Sequence, residues 1–460
     1  MILKYSSILI LHLLAWSVTS DTIADCRFED FIGHWRIDIF DYAKDCNQVE
    51  DPNLVHTTEV IFEYPNIVKN RNNIEGSWTM IYNQGAELEI NNRRYLLLNW
   101  YNSTHYSCEM SIAHWTYISM DEDWYCAKAK KLYVPIKYHS KKTPPYEFID
   151  ETRLYKNDEQ YVRHLNKIHK TWWAKSYPHD ETYTIKEIVK SRGTPISRYS
   201  NDFKKYSTKE PITREIKQKI NNLPEEFDWR TIKHPSGQSY VSPVRAQLHC
   251  GSCYAFASLA AAEARVRIVT NMTETPIFST QDIVDCSAYS QGCDGGFPYL
   301  IAGKYGHDFG LVEEECNPYQ AKETGSCSTK KSCKRYYFTN YGYIGGYDGA
   351  TTEDAMKLEL IENGPFPVSI MAYPDLKKYS GGIYIHKETD YQNRFDPFEA
   401  TNHVVVIVGY GFDKKLNLPF WIVKNSWGSD WGEKGFFRVL RGHDEIGIES
   451  LAVRFDYAYY

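Results

Sequence analysis

A chain of 460 residues, 42% hydrophobic and 24% charged, has room for about three globular domains and is too rich in core-forming residues to be a disordered protein. Its net charge of −6, with no basic motif interleaved with aromatics, argues against nucleic-acid binding. After the first 20 residues no stretch is apolar enough to span a bilayer.

Residues 1–20 read as a signal peptide. Lys4 precedes an apolar core over residues 8–16, and Val18-Thr19-Ser20 offers a cleavage site, leaving Asp21 as the new N-terminus. The apolar run is too short for a membrane anchor. Secretory entry permits disulfides and glycosylation, and Asn102 and Asn271 stand in acceptor sequons.

Residues 21–135 read as β-rich. Trp35-Arg36-Ile37-Asp38-Ile39 alternates apolar with polar, as does Ala86-Glu87-Leu88-Glu89-Ile90 after a turn at Gly85. Residues 95–100 and 115–118 add apolar strands, and no helical period is evident. The pattern predicts a small antiparallel barrel or sandwich. Cys26, Cys46, Cys108 and Cys126 fall here, and their pairing stays open at this point.

Residues 136–222 change character, with 19 lysines and arginines against 11 acids. Tyr161, Leu165, Ile168 and Trp172 predict one amphipathic helix; Gly193, Pro195 and Pro211 break the remainder. A basic segment on an acidic body predicts a propeptide held partly by charge and loosened when carboxylates protonate.

The chemistry lies further on, at Gln247-Leu248-His249-Cys250-Gly251-Ser252-Cys253. Leu259, Ala262, Val266 and Val269 share a stripe, so a helix is predicted to start at Cys253. That puts the sulfur at the positive end of the macrodipole, which favours a thiolate. Gln247, with the Cys253 N–H, can form an oxyanion hole. His403 stands before a β-branched run over residues 404–408, which reads as a buried strand. Asn425 follows a second predicted strand over residues 419–424. It can accept from the imidazole and fix its tautomer, under the cover of Trp427. His403 lies 150 residues after Cys253 and Asn425 another 22. Of eleven cysteines, setting Cys253 aside leaves an even number for bridges.

From about residue 223 to the end the chain resembles the papain family of cysteine peptidases, through Gln247, the Cys250-Gly251-Ser252-Cys253-Tyr254 string, His403, Asn425 and Trp427. Over its whole length it is similar to the cathepsin C (dipeptidyl peptidase I) branch. Residues 295–305, Asp396-Pro397-Phe398-Glu399 and the long segment before the catalytic domain carry that likeness. The resemblance implies an α+β protein. Its papain-like catalytic domain of a helical half and a β-barrel-like half spans residues 223–460. An antiparallel β-barrel exclusion domain spans 21–135, and a propeptide spans 136–222. It implies a cut near Asn393-Arg394, giving a heavy chain of about 223–392 and a light chain of about 393–460. The implied bridges are Cys26–Cys108, Cys46–Cys126, Cys250–Cys293, Cys286–Cys327 and Cys316–Cys333.

The same resemblance implies a function. The exclusion domain would block the non-primed end of the cleft, Asp21 would grip a substrate ammonium, and Trp427 would border the substrate. Phe297, Tyr299 and Tyr343 would hold a chloride ion, with no metal or organic cofactor. Activating proteases would process the chain, which would assemble as a homotetramer and act in the lysosome or outside the cell. The activity would be removal of dipeptides from free N-termini. The alternatives are a papain-like endopeptidase with an unusual pro-region and a barrel carrier or inhibitor fused to a dead protease.

Overall fold

The computed structural model describes residues 24, 26–43, 46, 53–102, 104–118, 124–140, 152–191, 214–387 and 401–459. The signal segment, Asp21, the Asn393-Arg394 region and residues 396–399 lie outside the described residues.

The choice between barrel and sandwich resolves as a barrel. A short helix α1 (Phe28–Phe31) leads into β1 (Gly33–Phe40), β2 (Leu54–Glu63), β3 (Ile67–Asn70), β4 (Glu75–Ile81), β5 (Gly85–Ile90), β6 (Arg93–Tyr101), β7 (His105–Ser111), β8 (His114–Tyr117) and β9 (Tyr125–Lys131). Strand β1 pairs with both β2 and β9, Trp35 lying opposite Val60 on one side and Lys131 on the other, so the antiparallel ring closes. β7 bridges β6 and β9, and β10 (His139–Ser140) pairs with β7. The alternation read in the sequence sends Trp35, Ile37 and Ile39 inward, where they meet Phe62 and Trp78. The Phe62 and Trp78 rings stand edge to face at 5.1 Å, so side chains fill this barrel.

The segment after the barrel departs from its predicted pattern. Helix α2 (Glu159–Ile168) is capped by Asp158, whose Oδ1 accepts from the N–H groups of Gln160 and Tyr161. It buries Val162 and Leu165. Trp172 is not on this helix: it opens β11 (Trp172–Ala174), which pairs antiparallel with β15 (Tyr379–Tyr384) of the catalytic domain. There Trp172 faces Gly382, at φ +97°, where any Cβ would stand 2.4 Å from the Thr171 carbonyl. Only glycine allows that approach. The segment continues through α3 (Ile185–Ser191) and α4 (Arg214–Asn221).

The charge pattern is mixed. Lys190 pairs with Asp294 at 2.9 Å and Lys219 with Glu362 at 2.8 Å, as the basic-on-acidic expectation requires. The most buried contact reverses it, with Asp180 of the segment lying 3.6 Å from Lys377 and 3.9 Å from Lys378. Strand pairing and the burial of Val162, Leu165, Trp172 and Tyr177 seat the segment alongside these ion pairs.

The catalytic domain has two layers. Helix α5 (Cys253–Val269) packs on β14 (Phe366–Ile370) and β16 (His403–Asp413). The sheet runs β11-β15-β18-β17-β16-β12, with β12 (Phe227–Asp228), β17 (Leu418–Lys424) and β18 (Phe436–Leu440), and β14 pairs with β16. A ribbon of β13 (Phe338–Tyr343) and β19 (Val453–Tyr457), with helices α6 (Thr280–Cys286), α7 (Gly306–Asp308) and α8 (Glu353–Asn363), completes it. All five implied bridges are formed, and among the described residues Cys253 alone is free. Asn102 and Asn271 are both exposed.

Candidate active site

Helix α5 starts at Cys253, as its stripe predicts, and is buried along most of its length. The chain enters through Gly251, whose N–H donates to the Cys293 carbonyl at 2.9 Å. A Cβ there would lie 2.5 Å from that carbonyl oxygen, so the approach requires glycine.

Opposite, His403 is the first residue of β16 and Asn425 the first after β17. Antiparallel pairing of these strands brings the two together across 22 residues. His403 Nε2 lies 2.8 Å from Asn425 Oδ1, which also accepts from the Ser426 N–H. Because an amide oxygen only accepts, Nε2 carries the proton and Nδ1 the lone pair. Nδ1 is buried without a hydrogen-bond partner, and its ring lines a cavity of about 60 Å³ together with Cys253. The Trp427 ring stacks on His403 at 4.8 Å and shields the Asn425 contact.

Gln247 is fully buried. Its Oε1 accepts from the Ser426 hydroxyl at 2.7 Å and its Nε2 donates to the Cys250 carbonyl at 3.0 Å. Those partners fix the amide orientation and leave Nε2 one further hydrogen.

Burial sets the electrostatics. It pushes the Cys253 thiol up to about 11, against the N–H groups of Val404, Tyr254 and Cys253 itself. The predicted downward pull of the helix terminus is thus outweighed in this form. Burial also pushes His403 down to about 4, with Asn425 opposing. Both shifts favour the neutral thiol and the neutral imidazole. Lys190 at the end of α3 lines the same cavity, and Ser191 accepts the Trp427 indole N–H at 2.7 Å.

Two contributors to the cavity carry no signal in the sequence pattern. Lys190 is one. The other is Tyr82, from the β4–β5 turn of the barrel. Its ring packs on Phe297 at 4.3 Å, and its hydroxyl pairs with Ser369 Oγ. Only the turn was legible, from Gly85. A larger cavity of about 360 Å³ lies at the same barrel–catalytic boundary, between Asn99, His114, Tyr289 and Phe297.

The three residues implied for chloride fall together. Phe297 lines the Cys253 cavity, and the Tyr299 and Tyr343 rings stack at 4.9 Å. The Tyr343 hydroxyl is buried with no partner, a donor suited to an anion. The Tyr299 hydroxyl is already engaged, donating to Glu87 of the barrel at 2.7 Å. Among the described residues no group of three or more His, Cys, Asp or Glu is placed to hold a metal ion, and no helix is long and apolar enough to cross a membrane.

A free cysteine and a proton-accepting imidazole share a cavity at the seam of a helical and a sheet layer, which is the arrangement of thiol-dependent hydrolases. Comparison with known proteins specifies the class. Residues 223–455 match the papain family cysteine protease model and residues 21–131 the cathepsin C exclusion domain model. The chain is 46% identical over 444 residues to cathepsin C of Schistosoma mansoni, covering 95% of each. It is 34% identical over 238 residues to cathepsin Z of Onchocerca volvulus, covering 48% of this chain and 71% of that one. Among solved structures, procathepsin L2 from the larval midgut of Tenebrio molitor aligns with TM-score 0.51 at 27% identity, over 65% of this chain and 88% of that one. Procathepsin B S9 from Trypanosoma congolense shares the fold, with TM-score 0.53 at 24% identity over 66% of this chain and 99% of that one. The chain belongs to the papain family of cysteine proteases, and within it to the cathepsin C type.

Proposed function

We propose that the chain is the zymogen of a cysteine exopeptidase that removes dipeptides in turn from free protein and peptide N-termini. The observation that carries this is Tyr82: a barrel residue enters the cavity of Cys253 and packs on Phe297, so the barrel walls off one end of the cleft. Ala24 lies beside that wall, its N–H donating to Gln84 Oε1 at 3.1 Å. Asp21 is three residues earlier in the chain, and its carboxylate would take the substrate ammonium.

In the reaction His403 Nδ1 takes the proton of Cys253, and the thiolate attacks the second peptide bond. The Cys253 N–H and the remaining Gln247 N–H receive the oxyanion. The imidazolium, held by Asn425, protonates the leaving amine; water then hydrolyses the thioester. Trp427 keeps water from the His403–Asn425 contact.

Removal of residues 136–222 and a cut near Asn393-Arg394 by activating proteases would release the cleft, with the processed chains assembling as a homotetramer in the lysosome or the extracellular space. Phe297, Tyr299 and Tyr343 would hold chloride through N–H and phenol donors, supplying a counter-charge beside the subsite wall.

The test compares a peptide with a free N-terminus and the same peptide acetylated. Near-total loss of turnover on acetylation is the expected result. Equal turnover would establish an endopeptidase.

A further inference from the structure

The barrel meets the catalytic domain through a closed set of buried charges that the reaction does not use. Lys304 Nζ lies 3.2 Å from Glu87 Oε1, 3.2 Å from Asp308 Oδ2 and 3.2 Å from the Tyr117 hydroxyl, so its three hydrogens meet three acceptors. Glu87 accepts from the hydroxyls of Tyr299 at 2.7 Å and Tyr341 at 2.8 Å. Asp308 accepts from the hydroxyls of Tyr117 and Tyr289, each at 2.6 Å, and lies 2.9 Å from His307 Nδ1. Side-chain exposure is 1% at Lys304, 7% at Glu87 and 0% at Asp308.

Glu87 and Tyr117 belong to the barrel and the other members to the catalytic domain. A set this complete has one geometry, since moving either body would strand a charge away from water. Two connections lead from it to the cleft. Glu87 is on β5, and the β4–β5 turn carries Tyr82 into the Cys253 cavity. Tyr299 and Lys304 lie on the helix Tyr299–Tyr305, just after Phe297 of the cavity wall.

We infer that Glu87 and Lys304 are positioning residues that set how far the Tyr82 turn enters the cleft, and so how many residues a substrate can place ahead of the scissile bond. The inference rests on the exopeptidase reading. Neither side chain touches the reacting atoms. Glu87→Gln keeps the shape and removes the barrel's charge from the two that Lys304 faces, leaving Asp308 within the catalytic domain, which should let the turn shift while Cys253 and His403 stay in place.

The experiment uses the matured enzyme and maps products from one long peptide, free and acetylated, by mass spectrometry. Wild type should release dipeptides only. Glu87→Gln should raise the acetylated-to-free turnover ratio at least tenfold, release tri- and tetrapeptides, and raise KM for a dipeptidyl substrate more than it lowers kcat. A thiol-directed epoxide should still label Cys253. Tyr341→Phe, which deletes one hydrogen bond to Glu87, is the second variant and should shift products the same way to a lesser degree; it decides the matter if Glu87→Gln does not fold. Strict dipeptide release by a folded variant, with wild type also strict, overturns the positioning role alone. Wild type that cuts the acetylated peptide as readily overturns the exopeptidase reading.

Discussion

Trp427 joins the proposed pro-segment to the chemistry: its indole N–H donates to the Ser191 carbonyl at 2.7 Å while its ring lies 4.8 Å from the His403 ring. Helix α3 therefore packs against the residue that covers the reactive pair, and its Lys190 lines their cavity. With the thiol pushed up to about 11, the full chain holds Cys253 as thiol throughout the physiological range. At pH 7 a group so shifted is ionised in roughly one molecule in ten thousand. Alkylation of the full chain should show no inflection between pH 5 and 8, and processing should speed it at least a hundredfold. A full chain that alkylates as fast as the processed enzyme would contradict this.

Asn425 should matter through orientation. A hydrogen bond to a charged partner contributes about 1.5–3 kcal/mol, so Asn425→Ala should lower kcat/KM roughly tenfold to a hundredfold. Gln247→Ala removes one oxyanion donor and should lower kcat by about 10²–10³ with little change in KM. Steady-state kinetics on a dipeptidyl substrate checks both.

His169 predicts how the proposed pro-segment responds to acid. It is buried between α2 and β11, its ring 4.4 Å from Trp172, and neither nitrogen has a hydrogen-bond partner. Burial first, then Lys387, His386 and His164, hold its pKa below the ordinary value, while Asp375 opposes them. Since the docked form resists protonation, docking is undiminished above the free value of ~6.5 and weakens as pH falls below it. Segment release should accelerate below that pH, and His169→Phe should flatten the dependence. Tryptophan fluorescence during acidification reads it. An unchanged profile in the variant would assign the acid response elsewhere.

Asp348 should couple anion binding to protonation. Burial pushes its carboxyl up to about 7, with the Tyr82 N–H opposing, and it acts electrostatically on Tyr343. Below that pH it is neutral; above it, its charge repels an anion at the Tyr343 hydroxyl. Chloride should therefore raise Tm more at pH 5 than at pH 8, and Asp348→Asn should make the two increments equal. Equal increments in wild type would remove Asp348 from the site.

The parts legible in the sequence were those fixed by local pattern. The run over residues 404–408 had to be a strand, so His403 had to stand at its start. The stripe from Leu259 to Val266 placed Cys253 at a helix terminus. What failed depended on packing between distant segments. Trp172 fits a helical spacing with Tyr161, Leu165 and Ile168, yet pairing with β15 takes it into a strand; the tertiary partner outweighs the period. A helix terminus is visible in sequence and points to a lowered thiol pKa, whereas the burial that raises it comes from segments distant in sequence that pack over it. Tyr82 and the Glu87–Lys304 contact arise only where two bodies dock, and no window of sequence contains both.

The bridges carry one more consequence. Each closes within the barrel or within residues 250–333, and none spans from one of these regions to the other or to the strand of His403. If the chain is cut on both sides of residues 223–392, no covalent stitch remains among the three pieces. Such an enzyme is assembled once, while it is a single thread; dispersed by denaturant without any reductant, its parts lose the tether that brought them together and have no ready way back.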